Sequence, residues 1–155
     1  MHAIAAKAVC FYEAMQPSFT DYQRAILDNA QVLASELQRL GLRLISGGTD
    51  NHLILVDLTK TGITGKQAEE CLEAAGIVVN RNNVPFDQQS PRITTGIRLG
   101  TPAVTTRGFG REEMKRIASL IVMVITNIGD LNVQKQIRDE VSQMCSRFPV
   151  PGIDD

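Results

Sequence analysis

The sequence predicts a small α/β domain, in which a short, largely antiparallel sheet in the middle of the chain is flanked by helices at both ends. Three observations carry that expectation. Apolar residues recur at helical spacing near the start of the chain and again in its last third. Two short β-type runs, "LRLIS" and "HLILVDL", flank the turn sequence "GGTDN", as in an antiparallel hairpin. The whole order reads ααββαββαα, which suits helices layered on a small central sheet. At 155 residues the chain is one ordinary domain, long enough to bury a real core.

The elements follow in order. "MHAIAAKAVCFYEAM" opens the chain directly as helix, with no polar lead-in and an apolar surface almost all round. Such a helix usually sits between other parts of a protein, so the chain is expected to lack its beginning. Pro17 and Ser18 break the pattern, and Thr20 with Gln23 has the spacing of a capping box. Tyr22, Ile26, Leu33, Leu37 and Leu40 continue that second helix to a stop at Gly41. After the hairpin, Thr64 and Gln67 form another capping box, opening a helix that ends at Gly76. "IVVN" reads as a strand, and "RNNVPFDQQSPR" as a polar loop. A strand around Arg98 follows, then the loop "TPAVTTRGFG" and a helix from about Arg111 to Ile128. Gly129 and Asp130 divide it from a last amphipathic helix through Leu131, Val133, Ile137, Val141 and Met144, and "RFPVPGIDD" is a frayed tail. There is no internal repeat and no second-domain linker.

Composition narrows the function classes. The chain is 43% hydrophobic and 21% charged, with a net charge of −1 and no Lys/Arg tract, which argues against electrostatic capture of nucleic acid or anionic membrane. Cys10, Cys71 and Cys145 are far apart and unpaired by any C-x-x-C spacing, so they are expected to be reduced core thiols, as in a cytoplasmic protein. No signal peptide or membrane-length apolar run is present. Nucleophile elbow, P-loop, G-x-G-x-x-G and metal-ligand spacings are also missing, so no metal site is expected.

Arg98 is the sharpest candidate for chemistry. It interrupts the apolar strand "TTGIRLG", and a buried guanidinium must be answered by a carboxylate, phosphate or ligand. It either reaches the wet face of the sheet or a structural Asp, or it clamps a carboxylate through its planar fork. Gly96 and Gly100 favour close approach of another group. Asn80, Asn82 and Asn83 in "NRNNVP" offer amides that both donate and accept, suited to a heteroaromatic edge, or they serve turn chemistry. The "GGTDNH" turn reads as structural punctuation, and His52 as a hydrogen-bonded structural histidine.

Taken together, "SGGTDNHLILVDL", "GIVVNRNNVP", "SPRITTGIRLGTPAVTTRGF" and "MHAIAAKAV" resemble serine hydroxymethyltransferase. The likeness runs through essentially the whole chain, in order, and corresponds to roughly the last third of a family member. It implies the C-terminal small domain of a pyridoxal-phosphate (PLP) enzyme of the aspartate-aminotransferase fold group. On that likeness residues 1–17 end the large domain, 18–41 form the connecting helix, and 42–155 are the small domain. The family transfers the serine hydroxymethyl carbon to tetrahydrofolate, giving glycine and methylenetetrahydrofolate, and acts as a homodimer or larger.

Carried over residue by residue, the Arg of the family's "GIR[LV]GTPA" phrase is Arg98, which the resemblance makes the ligand of the substrate carboxylate. The asparagine of the "VN-x-N" loop that lies against the folate pteridine becomes Asn82, with Asn80, Asn83 and Pro85 shaping that pocket. The family's PLP lysine lies in an upstream "T-x-x-K-T-x-R-G-P" phrase that this chain lacks; Lys7, Lys60, Lys66, Lys115 and Lys135 stand in other contexts. The resemblance therefore implies no catalytic residue here, no retained PLP, an inactive isolated chain, and a Met1 that is internal to the complete enzyme. Two other readings compete: the same domain from another PLP enzyme of this fold group, which would need no folate loop, or a free-standing binding domain without enzymatic activity.

Overall fold

The computed structural model describes residues 1–153. The first helix, α1 (His2–Ala14), buries none of its residues, and Phe11, Tyr12 and Met15 are mostly exposed. Cys10 on this helix is exposed, which corrects the expectation of a core thiol; Cys71 and Cys145 are free and partly buried against the core. The second helix, α2 (Pro17–Arg39), starts four residues earlier than a capping box with Thr20 as N-cap would place it. Proline at the first helical position supplies a φ already suited to helix, so Thr20 and Gln23 lie inside the first turns and cap nothing. Ile26, Ala30, Leu33, Ala34 and Leu37 form its buried stripe. The helix closes as expected at Gly41 (φ +96°), whose N–H donates to Gln38 O, while Leu42 N–H donates to Leu37 O. This pair of bonds is a Schellman cap.

The strands are β1 (Arg43–Leu44), β2 (Leu53–Asp57), β3 (Asn80–Asn82) and β4 (Gly96–Gly100), in the spatial order β1-β2-β4-β3, all antiparallel. The β1–β2 hairpin matches the sequence expectation. β1 is shorter than "LRLIS", because the chain leaves the ladder at a 3-10 turn over Ile45–Gly47 with Ser46 at φ +62°. β3 begins at Asn80 instead of Ile77, because Ile77 N–H is committed to Leu72 O in the cap that ends α3 (Gly65–Ala74). That helix opens with the Thr64–Gln67 capping box.

Three helices complete the chain. The sequence did not indicate α4 (Pro102–Thr106), a short helix that begins at a proline within the expected loop. α5 (Arg111–Thr126) follows, then α6 (Leu131–Ser146), capped by Asp130 Oδ1 on the N–H groups of Asn132 and Val133. The start of the segment after α6 is tied down where fraying was expected: Phe148 packs on Phe109 with centroids 4.4 Å apart, and its carbonyl accepts from Arg107, while the last two residues of that tail, 154 and 155, lie outside the described residues.

Period-two alternation divides the sheet into two unlike faces. Ile54, Val56, Ile97 and Leu99 point to one side and are buried with Leu33, Leu37, Leu72, Met114 and Ile121 from the helices in a single core. The other side carries Leu53, Leu55, Asp57, Gly96, Arg98, Asn80 and Asn82 by register, and no helix covers it. No described helix is long and apolar enough to cross a membrane.

Candidate functional site

Arg98 sits on the uncovered face of β4, a central strand of the sheet. Its neighbours Ile97 and Leu99 take the core side, so alternation sends its side chain outward, where it is exposed. Of the alternatives the sequence left open, the side chain reaches the wet face of the sheet: the strand is buried and the arginine is not. Across the ladder it faces Leu55 on one side and Asn80 on the other. It makes no hydrogen bond or ion pair among the described residues.

Arg98 and Asn82 line one concavity of about 750 Å³. Asn82 is half-buried, and its Nδ2 donates to Asn83 O at 2.8 Å, which leaves its amide oxygen turned to no described partner. Asn80 is exposed beside Arg98, and Asn83 is exposed and lines neither this concavity nor the next. Pro85 lies in a second concavity of about 660 Å³, which shares Ile45 and Ser46 with the first. The fold thus joins Arg98, Asn82 and Asn80 on one surface and sets Pro85 alongside.

The first concavity is also lined by the segment from Ile45 to Asn51, whose "GGTDN" part the sequence marks only as a turn. Its shape is held from within. Thr49 Oγ1 donates to Leu53 O at 2.6 Å, and Asn51 Oδ1 accepts from Leu53 N–H at 2.7 Å. The sequence signals this segment as a glycine pair between two paired strands, but its share in the concavity with Arg98 is a tertiary fact. His52 follows the turn exposed; its ring makes no hydrogen bond among the described residues, so the structural-histidine expectation fails.

The loop between β3 and β4 is organised by Asp87. Its carboxylate accepts from the N–H groups of Gln89 (2.9 Å), Thr95 (2.9 Å) and Val84 (3.3 Å). Burial works against the charge, but these N–H groups outweigh it and hold the carboxyl below the usual aspartate range. The Thr95 hydroxyl stands near enough to favour the charged form, without reaching hydrogen-bond geometry. None of the five lysines lines the Arg98 concavity, and no described group of three or more His, Cys, Asp or Glu is placed to hold a metal. The donor set suits an anion and a polar ring edge, and it offers no amine to a carbonyl cofactor.

The class defined by this architecture is a small α/β domain with a helix-covered core and one open, arginine-bearing sheet face. Residues 1–121 match the family model described as serine hydroxymethyltransferase. The chain is 55% identical to the serine hydroxymethyltransferase of Dehalococcoides mccartyi strain 195 and 55% identical to that of strain CBDB1. Each alignment covers 99% of this chain and 37% of the relative's length. The chain belongs to the serine hydroxymethyltransferase family, and it spans a little over a third of the curated relatives it matches.

Proposed function

We propose that this chain is the C-terminal part of a serine hydroxymethyltransferase, carrying the clamp for the amino-acid carboxylate at Arg98 and part of the folate site at Asn82. The complete enzyme would convert serine and tetrahydrofolate to glycine and 5,10-methylenetetrahydrofolate. It would do so as a cytoplasmic, PLP-dependent homodimer or larger assembly. On this reading residues 1–17 end the large domain, 18–41 connect, and 42–155 form the small domain. The single observation that carries the proposal is an unpartnered arginine on an open sheet face, sharing a concavity with a half-buried asparagine.

The arginine's work is positional. A guanidinium presents two parallel N–H groups to a carboxylate, which fixes both the distance and the plane of an amino acid. Holding one end of serine in this way leaves the bonds at its α-carbon in one orientation, a form of catalysis by alignment. PLP, when bound by residues outside this chain, supplies the electron sink. Asn82, with a free amide oxygen, serves the polar edge of the second substrate. With no lysine in the concavity, the isolated chain is expected to be inactive.

The test uses the full-length enzyme containing this segment. Arg98→Ala should lower kcat/KM for serine by two to three orders of magnitude, the size of losing about 3–4 kcal/mol of charge-paired contact. Arg98→Lys should recover little of it, since an ammonium lacks the planar fork. Asn82→Ala should raise the tetrahydrofolate KM and leave serine binding, measured by calorimetric titration, within twofold. Near wild-type kinetics for both arginine variants would refute the assignment.

A further inference from the structure

The turn Val84-Pro85-Phe86-Asp87 breaks a local rule. Asp87 N–H donates to Val84 O at 3.0 Å, proline holds the second position, and Phe86 holds the third at φ +62°, as in a type II turn. That position favours glycine or asparagine, and a side chain with a Cβ occupies it only at a cost. Phe86 is also 94% exposed, so its ring meets none of the core that would offset the strain. Nothing in the turn leaves it freedom to relax. Asp87 ties Val84, Gln89 and Thr95 together, and Thr95 adjoins the strand that carries Arg98. A strained, exposed aromatic on a rigid loop is the kind of local conflict that functional sites retain.

Its location supplies the function. Phe86 lines the 660 Å³ concavity that shares Ile45 and Ser46 with the one holding Arg98 and Asn82. Thr95 lines the same concavity, and its hydroxyl oxygen, buried beside Asp87, is without a hydrogen-bond partner among the described residues. An exposed aromatic ring on the rim of this concavity, in the loop that follows the half-buried Asn82, fits the flat face of a ligand whose polar edge meets Asn82. We propose that Phe86 is a positioning residue for the co-substrate held at Asn82, stacking against its aromatic portion. This rests on the reading of Asn82 as part of the folate site.

The experiment compares Phe86→Ala, Phe86→Tyr and Asn82→Ala in the full-length enzyme. Phe86→Ala should raise the tetrahydrofolate KM about tenfold, with kcat at saturating folate and serine affinity each within twofold. Phe86→Tyr, which keeps the ring, should restore the KM. Phe86→Gly relieves the left-handed backbone and should fold at least as stably, so it repeats the test if the alanine variant misfolds. An unchanged folate KM in Phe86→Ala, with Asn82→Ala raised, overturns this proposal alone. Equal losses of serine and folate affinity, or no rescue by tyrosine, also overturn it, because they would show general loop damage. If Asn82→Ala leaves the folate KM unchanged, the underlying reading of the folate site fails and the proposal fails with it.

Discussion

Gly96 lies two residues before Arg98, and its substitution probes how the strands set the site. A Cβ built there would stand 2.7 Å from Val84 Cγ1, 2.9 Å from Asn82 O and 2.9 Å from Val56 O. Two of these atoms are backbone of the flanking strands β3 and β2, so neither can rotate away. Ordinary contact begins near 3.4 Å, so the strands must part by about half an ångström. Overpacking of this kind costs about 3 kcal/mol, offset by up to about 1 kcal/mol from the reduced freedom of the unfolded chain. The net loss for Gly96→Ala is about 2 kcal/mol, a fall in Tm of about 4–8 °C for a chain of this length.

Gly100 is the internal control. It sits at the other end of the same strand, and its added Cβ would meet nothing closer than 3.6 Å, at His52 O and Leu53 Cδ2. Gly100→Ala should be neutral or stabilising by about 0.5 kcal/mol. Thermal and urea unfolding followed by circular dichroism would read both. A Gly96→Ala chain as stable as the parent, or a Gly100→Ala chain that falls as far, would refute the argument from close approach.

Two further predictions concern the loop and the last helix. Because the Asp87 pKa is lowered by folding, its contribution to stability is complete above the unfolded aspartate pKa of about 3.9 and is lost as pH falls through the folded value. Urea midpoints should therefore drop below about pH 4 in the parent, while Asp87→Asn starts lower at neutral pH and changes less across that window. Arg116 on α5 grips Glu140 on α6 through two hydrogen bonds, and Ile137 and Met144 are the buried residues of α6. Glu140→Gln should speed amide exchange in α6 about two- to fivefold, consistent with about 0.5–1 kcal/mol for a partly exposed pair, and leave α2 unchanged; equal acceleration in both helices would count against a local clasp.

The helices were readable because their determinants are local. The apolar stripe from Ile26 to Leu37, the Thr64–Gln67 box and the Gly41 and Gly76 caps each involve residues within a few positions of one another. Differences arose where one local signal overrode another, as Pro17 did to Thr20 and as the cap bond from Ile77 N–H to Leu72 O did to the start of β3. Arg98 stood out in the sequence, but whether it was buried or on the wet face was left open. An apolar strand with one charge looks buried throughout until the sheet is known to be covered on one face only. The "GGTDN" turn was legible, but its place in the Arg98 concavity and the exposure of Phe86 were not, since both depend on which surfaces the assembled sheet leaves open.

The sheet itself supplies the contrast that gives Arg98 its meaning. Arg43 stands on the same uncovered face, opposite Asp57, and the two are bonded at 2.8 Å with the carboxylate buried. Arg81, one residue from Asn82, has its answer in Glu69 of α3. Arg98 has cross-strand neighbours too, but they are Leu55 and Asn80, neither of which carries a charge. A carboxylate at either position would neutralise the guanidinium within the fold, at the short separation where cross-strand pairs interact. The sheet places its carboxylates elsewhere and leaves this one cation, on a central strand held rigid from both sides, facing a concavity. An arginine so placed contributes little to stability by itself. Its free fork is available to an anion from outside the chain, and the strand's rigidity determines where that anion can sit relative to Asn82.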